Sequence, residues 1–148
     1  MWRFQVNEST WTWISGSTSY GSIGVYGEKG DASTDYVIGA RYGATGWYDS
    51  AKQELWIFGG WCFGNKFTFG TSCPDFFSQP KSTHSQCYLT GYFNDLWRYR
   101  VGDSTWTWVA GNDTADSLGV FDNGSANEPG GRVGALGWYD SATNEFFL

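Results

Sequence analysis

Charge is scarce in this chain: 16% of its 148 residues are charged, and nine Lys and Arg are outnumbered by fifteen Asp and Glu, for a net charge of −6. Nucleic-acid affinity comes largely from clustered basic residues, so a nucleic-acid partner is not expected. Long apolar runs are missing too. Stretches such as Leu55 to Phe58 fall far short of the ~20 residues that a membrane-crossing helix needs. The opening Met1-Trp2-Arg3-Phe4 has no apolar signal core, so neither a membrane segment nor a targeting leader is expected. Helical windows are lacking as well, because Gly, Ser, Thr and aromatic residues interrupt every stretch long enough for three turns of period 3.6.

Aromatic residues are plentiful: 20% of the chain, with ten Trp, beside 21 Gly. Disorder needs few aromatics and many charges, so this composition predicts a folded chain. Most of the excess is written twice. WRFQVNESTWTWISG (Trp2 to Gly16) returns as WRYRVGDSTWTWVAG (Trp97 to Gly111), 95 positions later, and RYGATGWYDSAKQELWI (Arg41 to Ile57) returns as RVGALGWYDSATNEFFL (Arg132 to Leu148), 91 positions later. Ser22, Gly24, Val25 and Tyr26 match Ser117, Gly119, Val120 and Phe121 at the offset of 95. The second copy of the intervening segment is therefore four residues shorter, and the difference lies after Tyr26.

Each block reads as two short strands around a polar turn. Gly43 to Tyr48 and Glu54 to Phe58 flank Asp49-Ser50-Ala51-Lys52-Gln53, while Leu96 to Val101 and Thr105 to Val109 flank Gly102-Asp103-Ser104. In each WTW triplet the two Trp share one strand face and the Thr takes the other. Rings that each bury about 150–250 Å² demand cover that one hairpin cannot supply, so stacked sheets are expected.

Arg41, the pair Gly59-Gly60 after a hydrophobic strand, Asn94-Asp95-Leu96-Trp97, and Tyr99 followed seven positions on by Trp106 together resemble the kelch repeat, the four-stranded blade of propellers in the galactose oxidase-like superfamily. The resemblance covers both blocks and their copies and leaves out the connections. It implies an all-β fold: a kelch-type β-propeller fragment with one complete four-stranded blade flanked by two half blades, and no separate second domain. Residues 1–14 would be strands c and d of a preceding blade. Residues 41–111 would be the complete blade, its strands starting near Arg41, Glu54, Asn94 and Thr105, with a long insertion at 61–93. Residues 132–148 would be strands a and b of the following blade. Gly59, Gly60, Tyr99 and Trp106 would be structural, the glycines because a Cβ is not tolerated where blades crowd together. A kelch repeat is usually about 50 residues, so the offset of 95 requires long connections, roughly 15–40, 61–93 and 112–131. In an alternating meander these emerge at one end, the place where a rigid scaffold normally carries binding.

The candidate residues follow from that asymmetry. Trp61, Phe63, Phe67, Phe76 and Tyr88 in the insertion are binding candidates, because a segment so rich in rings can expose an apolar patch to a protein or stack on sugar. Cys62, Cys73 and Cys87 are disulfide candidates, one pair stapling the insertion and leaving a thiol over; a Cys₃His zinc site with His84 is the competing reading, disfavoured because the spacings lack tight ligand pairs. Copper-radical chemistry needs more than one His and is set aside. Asp49, Asp140, Glu8 and Asp103 recur at hairpin turns, where a short acid bonds its own backbone, so turn chemistry is preferred over paired catalytic carboxylates. Asp122 to Glu128 is oxygen-rich without calcium-loop spacing. Arg41 and Arg132 open equivalent strands, which favours a structural bond to neighbouring backbone.

The expectation is a non-catalytic binding or scaffolding module that recognises a protein partner through long loops on one face, with no cofactor and no metal. The alternative is a carbohydrate-binding or carbohydrate-active propeller whose site residues lie in further blades. The cysteine-bearing connection, the sequons at Asn7, Asn112 and Asn123, and the acidic balance lean toward an extracellular or cell-surface setting.

Overall fold

The computed structural model describes residues 1–19, 21–66, 88–122 and 127–148, which are all-β: ten strands and no helix. No helix there is long and apolar enough to cross a membrane. The centre is an antiparallel meander. In it β4 (Arg41–Tyr42) and β5 (Thr45–Asp49) both pair with β6 (Glu54–Lys66), β6 with β7 (Tyr88–Arg100), and β7 with β8 (Thr105–Ala110). Strands β4 and β5 occupy one strand position, interrupted at Gly43, whose φ of 65° is left-handed and closed to most side chains. A short strand, β3 (Ala32–Ser33), adds to the outer edge of β8. Two separate hairpins flank the meander: β1 (Trp2–Gln5) with β2 (Thr10–Trp13), and β9 (Trp138–Asp140) with β10 (Glu145–Phe147).

The four short turns share one device. Ser9, Gln53, Ser104 and Asn144, each immediately before the second strand of its hairpin, have φ of 51°, 56°, 58° and 58°. Polar residues tolerate this conformation best among side-chain-bearing residues. The acids of these turns bond their own backbone as turn chemistry requires: the Ala51, Thr105 and Ala142 amides donate to Asp49, Asp103 and Asp140.

Pairing fixes which side chains share a face. Leu55, Tyr99 and Trp106 stand in one row and Ile57, Trp97 and Trp108 in the next. This face meets the N-terminal hairpin and its connection through Met1, Ile14, Tyr26, Tyr36 and Ile38. The opposite face carries Trp47 and Trp56, whose rings meet Phe146 of β10 at 4.7 and 4.9 Å. The result is three stacked layers: hairpin, central sheet, hairpin. At about 25 cal/mol per Å², burying one large ring contributes about 4–6 kcal/mol before entropy is charged against it. Trp97 and Trp106 are the best-buried rings, at 0% and 1% exposed.

Two expectations about boundaries are corrected here. Residues 61–66 and 88–93, read from the sequence as part of a connecting insertion, are paired strand that lengthens β6 and β7 to 13 residues each. The reason is that Gly59-Gly60 does not end the strand. With φ of 63° and 99° the pair carries β6 past a bulge in β7, where Gly59 alone stands opposite Asn94 and Asp95 between the Phe58–Leu96 and Gly60–Phe93 pairs, and pairing resumes. A Cβ on Gly59 would stand 2.9 Å from the carbonyl oxygens of Arg132 and Phe93, so the approach of the chain leading to the next hairpin reserves this position for glycine. The connection 15–40 is likewise no loose loop. It is clipped by a Val25–Val37 bridge and an Ala40 amide bond to the Ser22 carbonyl, and the later connection repeats both as Val120–Glu128 and Gly131 to Ser117. The bridged residues are twelve positions apart in the first copy and eight in the second, which places the four-residue difference at the loop tip.

Candidate functional site

The long connections gather at one end of the sheet. Asp116 of the later connection exchanges two hydrogen bonds with Tyr92: its amide donates to the Tyr92 carbonyl, and its carboxylate accepts from the Tyr92 amide at 2.9 Å. Asn94 fixes the same connection twice, its Oδ1 accepting from the Asn112 amide at 2.9 Å and its Nδ2 donating to the Pro129 carbonyl at 3.1 Å.

Asp95, the next residue, points to the other face and holds the earlier connection. It is 0% exposed. Arg41 grips it with two bonds of 2.6 and 2.8 Å, and Tyr26 Oη and Trp97 Nε1 each donate to Oδ2 at 2.6 Å. Arg41 also donates to the carbonyls of Gly39 and Gly59 and lies over the Phe93 ring. A buried ion pair survives only with such full coordination. Burial works against the Arg41 charge, but Asp95 outweighs it and holds the guanidinium above its ordinary value. Burial, then the Asp95 carboxylate, pushes the Tyr26 phenol far above the usual range. These effects keep Arg41 charged and the Tyr26 phenol protonated at every physiological pH. The donors of this cluster are aimed inward at one another, which suits a brace and not proton transfer to a bound substrate.

On the face opposite that brace the register brings three rings into line: Tyr42 on β4, Trp61 on β6 and Tyr92 on β7 are direct cross-strand partners. Neighbours across a sheet share a face, so the three form one aromatic row. Tyr42 and Trp61 pack at 5.2 Å between ring centres. Tyr42 remains 62% and Tyr92 44% exposed, although strands and not loops carry them. Rings held this way lose little freedom when something settles on them.

The sequence candidates are placed as follows. Trp61 lies in the row. Phe63 and Tyr88 are in paired strand, opposite Thr90 and Lys66 respectively, beyond the Trp61–Tyr92 pair. Phe67, Phe76, His84, Cys73 and Cys87 lie outside the described residues. Cys62, offered as a disulfide partner of residues that lie outside the described ones, is a free thiol in β6, 3% exposed, and burial pushes its pKa up to about 11. A thiol so sealed is not a reactive one. Gly59 and Gly60 lie opposite the β7 bulge described above, while Tyr99 and Trp106 sit in the central core. Among the described residues no group of three or more His, Cys, Asp or Glu could hold a metal ion.

Tyr42, Tyr26 and Asp95 carry the site, and sequence reasoning assigned none of them a role in it. Tyr26 was visible only as a repeated position, and Asp95 only as one letter of a motif. No protein-family model, curated protein or solved structure matches the chain.

Proposed function

We propose that the chain is a non-catalytic binding module, built from kelch-type propeller blades, that engages a protein partner at the end of the sheet where the long connections gather. The observation that carries this reading is the row Tyr42–Trp61–Tyr92, exposed yet fixed by cross-strand pairing, on the sheet face opposite the Arg41–Asp95 brace. Exposed aromatic rings on a rigid base are what anchors at protein interfaces are made of. Carbohydrate is the second reading, favoured by the same flat rings. Sugar recognition also needs polar groups turned outward beside the rings, whereas Arg41 and Asp95 are spent on each other and the Asp116 carboxylate accepts from the Tyr92 amide.

Selection of a displayed random-peptide library on the immobilised chain tests this. Enriched peptides should lose roughly tenfold or more in affinity against Tyr42→Ala and Tyr92→Ala chains. Affinities unmoved by both substitutions would remove the row from the proposal. Binding to a glycan array without peptide enrichment would hand the site to the carbohydrate reading.

A further inference from the structure

The outer edge of β8 is occupied by a strand that the repeat does not require. β8 has six residues, Thr105–Ala110, and β3 covers two of them, Ala32 lying opposite Thr107 and Ser33 opposite Trp106. The Gly30 amide adds a bond to the Trp108 carbonyl at 2.9 Å, and Lys29 Nζ lies 4.8 Å from the centre of the Trp108 ring. A turn closed by the Asp31 amide on the Glu28 carbonyl, with Gly30 at a φ of 92°, delivers the segment to the edge, and the Asp35 amide bonded to Ser33 Oγ ends it. Every residue from Glu28 to Ala32 is exposed. The apolar anchors of the same connection, Tyr26, Tyr36 and Ile38, lie elsewhere, packed against the core. Between its bridged positions the second connection is four residues shorter, the length of Gly30 to Ser33, so the repeat can close this connection without the pairing segment.

We propose that the outer edge of β8 is a strand-addition site for an extended segment of a partner protein, and that residues 30–33 are its built-in occupant, which the partner segment replaces. Strand addition takes its affinity from main-chain bonds and its specificity from side chains beside the edge. The resident segment displays both requirements. It is extended and carries small residues, Gly30, Ala32 and Ser33, and it brings one cation, Lys29, onto Trp108. Trp108 is a fixed platform for that cation, because its Nε1 donates to the Ala110 carbonyl at 2.9 Å and the Tyr26 ring meets it edge-on at 5.1 Å. A partner segment with a Lys or Arg followed by small residues therefore fits the same place. Displacement needs little, since a two-residue ladder, one further amide bond and one exposed cation hold the occupant.

Both β3 and β8 lie within the chain, far from its two termini. On the blade reading β8 is the outermost strand of the complete blade, an edge that no neighbouring blade continues. The site is also separate from the aromatic row, and nothing in it depends on what that row binds. An edge covered only to prevent unwanted pairing would use the same contacts. The two roles differ in whether the occupant yields to a second strand.

Fluorescence anisotropy of a labelled peptide with the sequence of Gly27 to Asp35 tests this on the 148-residue chain and on a variant lacking Gly30 to Ser33, which spaces Val25 and Val37 as the second connection spaces Val120 and Glu128. The peptide should bind the deletion variant saturably and the intact chain roughly tenfold to a hundredfold more weakly, because the resident strand lowers the fraction of open edge. A peptide with Ala32→Pro and Ser33→Pro cannot donate to a ladder and should lose binding to both chains, while a Lys29→Ala peptide should lose a few-fold. Lys29→Glu in the intact chain loosens the occupant without shortening the connection, and should bind the unaltered peptide a few-fold more tightly than wild type does. Binding that ignores the prolines, or an unchanged affinity in the Lys29→Glu chain, overturns the proposal. So does a deletion variant that keeps its near-ultraviolet dichroism yet binds no peptide at about millimolar concentration. An intact chain that stays silent at about a thousandfold the deletion variant's dissociation constant makes β3 a permanent edge guard, and overturns it as well.

Discussion

Trp97 and Trp106 of the central sheet and Trp2 and Trp11 of the N-terminal hairpin stand in the same sequence, WRxxVxxSTWTW, yet the first two are 0% and 1% exposed and the last two 57% and 66%. Trp47 and its copy Trp138 repeat the contrast at 8% and 59%. Hairpins of one sequence pattern thus reach opposite environments. The difference is the neighbour: the central sheet has a layer on each face, and each hairpin has one. Local sequence makes the hairpin and its ring pairs, such as Phe4 on Trp11 at 5.0 Å and Tyr99 on Trp106 at the same distance. Burial belongs to the stack.

Arg41 and Arg132 sharpen this contrast most. Both donate through Nε to the carbonyl two residues back, but Arg41 alone of the two has the Asp95 carboxylate. Arg41→Met strands a buried charge and should cost about 3–5 kcal/mol in urea unfolding, whereas Arg132→Met should cost about 1 kcal/mol or less. Equal losses would mean that the brace contributes nothing beyond its backbone bonds. A comparable gap separates Trp106→Ala, expected to cost about 3–5 kcal/mol, from Trp11→Ala, expected to cost about 0.5 kcal/mol. A Trp11 loss as large as the Trp106 loss would show that the hairpin is covered in solution.

Acid should produce the smallest effect. The Asp49 carboxylate is buried, which favours its neutral form, but bonds from the Lys52 amide and ammonium and from Tyr139 Oη outweigh this and hold it below the usual carboxylate value. A depressed folded value means that its stabilisation is complete above the ordinary Asp pKa of about 3.9 and is lost as pH falls through the lower folded value. Thermal melts should therefore fall below about pH 4, and Asp49→Asn should lower the melt at neutral pH while flattening that acid limb. Because Tyr139 belongs to β9, the limb reports how the C-terminal hairpin is attached to the central sheet.

How much of this was legible follows from the range of each interaction. Hairpins, turn acids and the two faces of WTW are local and were readable. The all-β architecture and the strand order from Arg41 to Ala110 followed from the repeat. The strand extension past Gly59-Gly60 was not readable, since a glycine pair looks the same whether it ends a strand or carries it past a bulge in its neighbour, and the choice depends on the Arg132 backbone 73 positions away. Asp95 reaches Arg41 across 54 residues and Tyr26 across 69. No spacing rule connects them. Tyr42 joined the aromatic row only through its register with Trp61, which depends on the break at Gly43.

The clipped connections carry a consequence for how such a chain can change. The Val25–Val37 and Val120–Glu128 bridges close loops of unequal length onto the same closing bonds, Ala40 to Ser22 and Gly131 to Ser117. Loop closure grows only slowly with length, so residues added beyond the bridge are thermodynamically cheap. In the first copy the tip is also tied to the sheet, because β3 pairs with the edge of β8 and the Gly30 amide donates to the Trp108 carbonyl. The graft point is therefore the exposed pair Thr34-Asp35, between β3 and Tyr36, where a foreign epitope or a new recognition segment can be inserted while the layers beneath keep their spacing.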